Sequence, residues 1–324
     1  MKIMAEINLE LYNNLLVQQV VGPQDSHLRL LEKLLNVEIS SFGNQIKITG
    51  DKEAAVQAQT AIDILYHKVG KNIDINEEEV KAAVRISGAG AEKIAEENME
   101  NIVLKTKKRH IYPRSATQAA YIQEMMKNEL VFGLGPAGTG KTYLAVALAV
   151  SMMLEGKIDK IILSRPAVEA GENLGFLPGD LKEKVDPYLR PLYDALYEML
   201  PAEQVDKKLA IGEIEIAPLA FMRGRTLSNS FIILDEAQNT TPMQMKMFLT
   251  RLGENSRMVV NGDLSQVDLP KGTISGLRDS LETLKGIDNI SSVRFSAADV
   301  VRHGLVAKIV KAYEERSKKT YGDE

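Results

Sequence analysis

A glycine-rich turn between a buried strand and an apolar helix limits the folds that this chain can adopt. The stretch Val131–Thr142 reads VFGLGPAGTGKT and continues into the apolar run YLAVALAV. Its G-x-x-x-x-G-K-T pattern predicts a phosphate-binding loop at a helix N-terminus. The flanking strand and helix are the context that this motif requires. The chain is therefore expected to bind a nucleoside triphosphate.

Each residue type in this loop suits phosphate or metal binding. Lys141 is expected to reach the β- and γ-phosphates, and Thr142 to supply a hydroxyl ligand to Mg²⁺. The remaining loop residues are expected to cradle the phosphates with their backbone N–H groups. They are Gly135, Pro136, Ala137, Gly138, Thr139 and Gly140.

Composition excludes several other classes of site. The 324 residues include no cysteine, which rules out disulfides, thiolate metal sites and cysteine nucleophiles. No stretch approaches the ~18 apolar residues of a membrane span, so we expect a soluble, cytoplasmic protein without membrane contact. Residues 1–104 hold 10 Lys and Arg against 16 Asp and Glu, whereas the remainder holds 30 against 28. A polyanion should therefore meet the second part of the chain.

The acidic N-terminal part is expected to be a small α+β domain over residues 1–70. A helical stretch from Asp25, a strand from Val37, a hairpin turn at Gly43-Asn44 and a helix over 54–69 give this order. The order resembles a KH-type RNA-binding module, with Gly22-Pro-Gln-Asp25 in place of its GxxG loop. Asp25 is unfavourable for clamping phosphates, so RNA binding and a structural or protein-contact role both stay open.

Residues 71–114 are interpreted as a connector that ends in a basic segment. Its last ten residues, KTKKRHIYPR, hold five Lys and Arg and no acid. This segment could contact nucleic-acid phosphates or be a solvated linker.

Residues 115–324 are expected to form the main domain. Short apolar runs at Leu130–Leu134, Lys160–Ser164, Ser230–Leu234 and Met258–Asn261 alternate with helical segments. This alternation predicts an α/β fold with a doubly wound parallel sheet and ligands at the carboxyl ends of its strands.

Two strands are expected to end in residues of the active site. The run FIILDEAQ places Asp235 where it can hold Mg²⁺ and Glu236 where it can polarise the attacking water. The run MVVNGDLSQ ends near Gln266, which could sense the γ-phosphate or orient water, with Asp263 in support.

Two further side chains are candidates for contacts with nucleotide. Gln118, upstream of the loop, can pair with the N7/N6 edge of adenine, which would make the nucleotide ATP. An arginine finger could act on the transition state, within the chain or from a neighbour. The candidates are Arg165, Arg223, Arg225, Arg251 and Arg302, with position favouring Arg302 or Arg223.

The motif order is similar to that of superfamily 1 helicases, and the closer resemblance is to the PhoH-like family of ATPases. It covers about residues 105–315 and rests on Gly133–Val150, the long block 164–180, residues 186–193 and 221–227, and the motifs after Asp235, Gly262 and Asp299. The resemblance implies a stand-alone, cytoplasmic P-loop ATPase without an added nuclease domain. It also implies a tendency to form rings, induction by phosphate starvation in some members, and a role in RNA metabolism.

Two functions from different classes follow. In the first, ATP hydrolysis remodels single-stranded RNA in a helicase-like manner. The second helicase-like core would come from a neighbouring subunit of a homo-oligomer. A ribonuclease or a ribosome-assembly factor could be the partner. In the second, ATP switches the docking of a protein partner without moving along RNA. A small-molecule kinase is disfavoured, because it would lack the Gly-Asp…Gln motif.

Overall fold

The computed structural model describes residues 4–70, 73–88, 102–166, 181–270, 272–300 and 309, with the backbone alone for 181–187. The chain divides into two compact units, Met1–Val103 with Tyr112–Ala119, and Leu104–Ile111 with Ala120–Glu324. Among the described helices, none is both long and apolar enough to cross a membrane. The expected boundaries at residues 70 and 114 stay a prediction.

The first unit is an α+β fold with a three-stranded antiparallel sheet. Its elements are β1 (Met4–Glu10), α1 (Asn14–Val21), α2 (Ser26–Leu35), β2 (Glu38–Phe42), β3 (Gln45–Asp51), α3 (Lys52–Gly70) and α4 (Glu77–Gly88). The strand order is β1-β3-β2, so β3 lies in the centre. The expected KH-like order of helix, hairpin and helix is therefore present, preceded by a strand and a helix that the sequence interpretation did not include.

Small and branched residues build the core of this unit. Ile46 and Ile48 alternate with exposed positions along β3 and are fully buried. On α3, Ala55, Ala58 and Ala61 are fully buried, and their small side chains allow close packing of neighbouring elements. The helix α4, which lies inside the predicted connector, packs against α3.

The turn between α1 and α2 departs from ordinary backbone geometry. Gly22, Gln24 and Asp25 have φ angles of 79°, 52° and 60°. For a residue with a side chain, this left-handed region costs on the order of 1 kcal/mol or more. The aspartate thus occupies a strained position in the place where the GxxG loop has its second glycine.

The second unit contains the phosphate-loop motif. Its elements are β4 (Leu104–Lys105), β5 (His110–Ile111), most of α5 (Ala116–Lys127), β6 (Leu130–Leu134), α6 (Lys141–Leu154), β7 (Lys160–Arg165), α7 (Leu181–Met199), α8 (Ala202–Ala210), β8 (Ile214–Pro218), β9 (Ser230–Leu234), α9 (Pro242–Leu249), β10 (Arg257–Gly262), α10 (Gly276–Thr283) and β11 (Ile290–Arg294).

Six of these strands form one parallel sheet in the order β11-β6-β10-β9-β7-β8. Every residue of β6 and β9 is buried, as expected for strands covered on both faces. The sheet confirms the predicted doubly wound α/β fold of the P-loop class. The edge strands β8 and β11 were not among the four strands predicted from apolar runs.

Candidate active site

The register of the sheet brings the sequence motifs to one edge. Leu134 at the end of β6 pairs with Gly262 of β10. Leu234 at the end of β9 pairs with Val260 of β10 and with Ser164 of β7. The residues that follow these positions therefore emerge side by side at the carboxyl edge, where parallel α/β sheets bind ligands.

The phosphate loop depends on its glycines. Gly135, Gly138 and Gly140 have φ angles of 136°, 82° and 84°, which residues with a Cβ rarely adopt. A Cβ on Gly135 would also collide with the carbonyl oxygen of Phe295. The loop leads directly into α6, whose first residue is Lys141. This backbone provides the N–H cradle and helix N-terminus that bind phosphate.

The ammonium group of Lys141 lies inside the loop. It donates to the carbonyl oxygens of Gly135 at 2.6 Å and Pro136 at 2.9 Å, and it lies 3.4 Å from the hydroxyl of Thr139. The residue is buried. A polyphosphate in this loop would therefore meet a positive charge that the surrounding backbone already positions.

Thr142 and Asp235 join the loop to the end of β9. The Thr142 hydroxyl donates to Asp235 Oδ1 at 2.6 Å. Burial raises the pKa of Asp235, the Thr142 hydrogen bond lowers it, and the neighbouring Glu236 charge raises it further. A hydroxyl and a buried carboxylate in contact are hard oxygen ligands, which is the donor set that Mg²⁺ prefers. These residues therefore fit the predicted metal site.

Both carboxylate oxygens of Glu236 have partners. Arg165, the last residue of β7, places Nη2 at 3.3 Å from Glu236 Oε1. The amide of Gln238 donates to Glu236 Oε2 at 2.6 Å. Glu236 itself has a φ of 52°, and such strained positions concentrate at functional sites. The candidate catalytic carboxylate is thus held from two sides.

Gln238 links this carboxylate to the loop after β10. Its Oε1 accepts from the backbone N–H of Asp263 at 3.0 Å, and its Nε2 donates to the carbonyl of Gln266 at 3.2 Å. A Cβ on Gly262 would come within 2.5 Å of Leu277 Cδ2 and 2.8 Å of Gln238 Oε1, so a larger residue there would force these side chains to shift. Sequence reasoning did not assign Gln238 a role, although it follows Glu236 by two residues in the same motif.

In the loop after β10, Gln266 lines the cleft, whereas Asp263 makes hydrogen bonds within the loop. Gln266 is exposed and lines the cleft. Its backbone carbonyl, not its side chain, accepts the hydrogen bond from Gln238. Asp263 Oδ1 accepts from the N–H and hydroxyl of Ser265 at 2.9 and 2.7 Å. Asp263 Oδ2 is buried, and no hydrogen bond within the described residues reaches it.

These groups surround a cleft of about 450 Å³ in the second unit. Its walls come from the phosphate loop, the ends of β7, β9 and β10, and one side of α7. The lining residues are Ala137, Gly138, Gly140, Lys141, Thr142, Tyr143, Arg165, Pro191, Asp194, Ala195, Glu198, Asp235, Glu236, Gly262, Asp263 and Gln266. Most of the predicted phosphate and metal ligands therefore line one cavity.

Two predicted residues, Gln118 and Arg302, are not among the described residues that line the cleft. Gln118 belongs to the first unit, where its buried Oε1 accepts from the backbone N–H of Arg114 at 2.6 Å. Its proposed contact with adenine stays a prediction. Arg302 lies outside the described residues, and so does most of the long block from 164 to 180.

The other arginine candidates differ in their surroundings. Arg225 forms a two-pronged ion pair with Glu215, and Arg251 donates to backbone carbonyls and to a neighbouring hydroxyl. Arg223 is exposed and is not among the residues that line the cleft. Within the described part of the chain, Arg165 is the candidate that lines the cleft.

Comparison with known proteins identifies the family. The PhoH-like protein family model matches residues 110–314. A PhoH-like protein of Bacillus subtilis is 53% identical over 297 residues, which cover 91% of this chain and 93% of the relative. Protein PhoH of Escherichia coli K12 is 39% identical over 297 residues, covering 90% and 82%.

Solved structures give weaker likenesses. The UvsW helicase from bacteriophage T4 aligns with a TM-score of 0.35 and 11% identity over 72% of this chain and 77% of its own. The Sulfolobus solfataricus SWI2/SNF2 ATPase core in complex with dsDNA aligns with a TM-score of 0.33 and 16% identity over 50% and 34%. The sequence relationships, which extend over nine-tenths of the chain, place it in the PhoH-like protein family.

Proposed function

We propose that this chain is a Mg²⁺-dependent ATPase. The observation that carries the proposal is the 2.6 Å hydrogen bond between Thr142 in the phosphate loop and Asp235 at the end of β9. Glu236 lies next to this pair and lines the same cleft. A phosphate cradle, a metal-binding oxygen pair and a second carboxylate are the parts that phosphoryl transfer to water requires.

The proposed mechanism assigns each part to residues of the chain. The loop backbone and Lys141 hold the phosphates, while Thr142 and Asp235 would hold Mg²⁺. When bound, Mg²⁺ neutralises charge on the phosphate oxygens. Glu236 orients a water molecule and accepts its proton as the water oxygen bonds to the γ-phosphorus. The bond to the leaving oxygen of ADP breaks in the same displacement, which releases ADP and phosphate.

Phosphate release from ATP tests this proposal. Lys141→Ala should abolish turnover, and Glu236→Gln should lower kcat by about 10²- to 10⁴-fold while nucleotide still binds. Lys285→Ala, at an exposed position after α10, is the matched control and should retain full turnover. Turnover that persists in both site variants would contradict the assignment.

We further propose that ATP hydrolysis drives the remodelling of single-stranded RNA. The basic segment 105–114 supports this through its charge. Lys108 donates to the carbonyl of Tyr197 at 2.6 Å, and Arg109 lies 3.2 Å from Glu198, which lines the cleft. A polyanion that competes for these two cations would disturb contacts with α7. That helix forms one side of the cleft, so RNA could influence hydrolysis there.

Stimulation of phosphate release by single-stranded RNA tests this role. Stimulation should be strong at ~50 mM salt and much weaker at ~200 mM, since contacts to phosphates are screened and release counterions. Lys107→Ala, an exposed change inside the basic segment, should weaken stimulation, whereas Lys285→Ala should not. Equal rates with and without RNA at both salt concentrations would eliminate the RNA role.

One observation favours the alternative, a switch that docks a protein. In the first unit, the N–H of Ile39 on the outer strand β2 donates to the carboxylate of Glu32 at 2.7 Å. In the α1–α2 turn, Asp25 also places an acid where a GxxG loop would clamp phosphates. Docking should then depend on ATP versus ADP and persist without RNA. A truncated chain lacking residues 1–104 that keeps every contact would refute this alternative.

A homo-oligomeric ring and contacts with a ribonuclease or a ribosome-assembly factor also stay proposals. The native mass of the protein with and without nucleotide tests the ring.

A further inference from the structure

Arg165 contacts two walls of the cleft. It is the last residue of β7, one step beyond Ser164, which pairs with Leu234 just before the Asp235-Glu236 pair. Its side chain is 22% exposed, so it is shielded but reachable from the cleft that it lines. The sheet register therefore places this guanidinium beside the candidate catalytic carboxylate.

The two ends of the guanidinium have different partners. Nη2 lies 3.3 Å from Glu236 Oε1, and Nη1 donates to the backbone carbonyl of Tyr188 in α7 at 3.0 Å. Farther along, α7 lines the cleft with Pro191, Asp194, Ala195 and Glu198. Arg165 thus connects the carboxylate at the end of β9 to the helix that forms the opposite wall.

The contact has a consequence for Glu236. Oε1 faces Arg165 and Oε2 accepts from Gln238, so each oxygen keeps one lone pair, and a water molecule that approaches Oε1 must share it with the guanidinium. The Gln238 amide is itself fixed by the loop after β10, so it has little freedom to leave. Of the two partners, Arg165 is the one that lines the cleft, where a ligand can reach it.

We propose that Arg165 senses the γ-phosphate, releasing Glu236 Oε1 when a triphosphate occupies the cleft; this inference rests on the proposed ATPase function. Guanidinium groups bind phosphate oxygens in a two-pronged, charge-assisted manner, and a terminal phosphate offers more charge than one carboxylate. A diphosphate lacks that group and leaves the Arg165–Glu236 pair in place. Arg165 is therefore a specificity residue for triphosphate and a positioning residue for Glu236.

The ratio of triphosphate to diphosphate affinity tests the sensor role without relying on turnover. Calorimetric titration with Mg²⁺ and either ADP or a non-hydrolysable ATP analogue gives both dissociation constants. Arg165→Gln should weaken the analogue by about 10-fold or more and change ADP by less than about 3-fold. Arg278→Gln, at an exposed arginine of α10, is the matched control and should change neither constant.

Each outcome of this titration is informative. Retained ADP binding by Arg165→Gln shows that the variant site is folded. If the ratio of the two affinities does not change, whether both stay the same or both fall equally, the sensor role alone is overturned. A wild-type protein that binds neither nucleotide would overturn the ATPase proposal and this inference together.

The release of Glu236 has its own test. In Glu236→Gln, Arg165 no longer has to leave an ion pair, so the analogue should bind several-fold more tightly while ADP stays nearly unchanged. In the double variant with Arg165→Gln, this gain should disappear, because the sensor is absent. A gain that is equal for ADP, or that survives in the double variant, would contradict the release of Glu236 by Arg165.

Discussion

At the scale of single residues, the candidate site depends on how Glu236 is held. Arg165 and Gln238 contact one carboxylate oxygen each, and the backbone of Glu236 adopts a left-handed φ of 52°. Gln238 adds the more rigid of these contacts, because it is fully buried and its amide also binds the loop after β10. Its effect on catalysis should therefore be one of positioning.

Replacing Gln238 by methionine keeps most of the volume but removes the hydrogen bonds to Glu236 and Asp263. We expect kcat for ATP to fall about 10-fold or more and the free energy of unfolding to drop by about 1–3 kcal/mol, since a buried N–H loses its acceptor. Nucleotide affinity should stay within about 3-fold. Steady-state kinetics, titration and urea unfolding measure these effects, with exposed Gln204→Met as control.

The glycine at position 135 gives a second prediction at this scale. Gly135→Ala should destabilise the protein by about 1–3 kcal/mol more than Gly156→Ala. Both positions have positive φ, but an added Cβ meets nothing within 4 Å at Gly156 and collides with the Phe295 carbonyl at Gly135. Denaturant unfolding of the two variants measures the difference. Equal losses would mean that the loop shifts at little cost.

At the scale of elements, strand position explains what the sequence revealed. Inner strands such as β6 and β9 are buried on both faces, so they are continuous apolar runs that predict a strand directly. The edge strand β11 reads ISSVR and is largely half-exposed, and β8 reads IEIAP. Such short, mixed segments carry little apolar signal, because an edge strand buries less of its surface.

The α3–α4 contact provides a prediction for this scale. Lys68 and Glu79 form an ion pair of 2.6 Å with side chains only 11% and 13% exposed. Lys68→Met should lower the free energy of unfolding of the first unit by about 3 kcal/mol, because it leaves the shielded Glu79 carboxylate with a more distant cation, Arg114 at 3.6 Å. The double variant with Glu79→Met should lose clearly less. Urea titrations of both variants test this order, and a double variant that is the less stable of the two would contradict it.

At the scale of the whole molecule, the chain consists of two units with separate sheets and cores. The first core combines β3 with α1 to α4, whereas the second surrounds the parallel sheet. The cleft draws all its lining residues from the second unit. Ligands of the cleft and changes in the first core should therefore act on different parts of the unfolding curve.

Thermal unfolding with and without the non-hydrolysable ATP analogue and Mg²⁺ tests this independence. By mass action, the ligand should stabilise the second unit by about 2.7 kcal/mol at a concentration of a hundred times its dissociation constant. The unfolding temperature of that unit should rise accordingly. Lys68→Met should lower the other transition alone. A single transition that moves as a whole in both experiments would mean that the units unfold as one.

The phosphate loop, the α/β class and the family could all be predicted from the sequence, because each rests on local patterns of apolar runs, glycines and motif spacing. The sequence also pointed to the Asp235-Glu236 pair at a strand end. The groups that hold Glu236 could not be predicted in this way, because they come from distant parts of the chain. Arg165 lies 71 positions upstream on another strand, and the loop that fixes Gln238 follows a third. The parallel register brings them together, and no local pattern encodes which strands become neighbours.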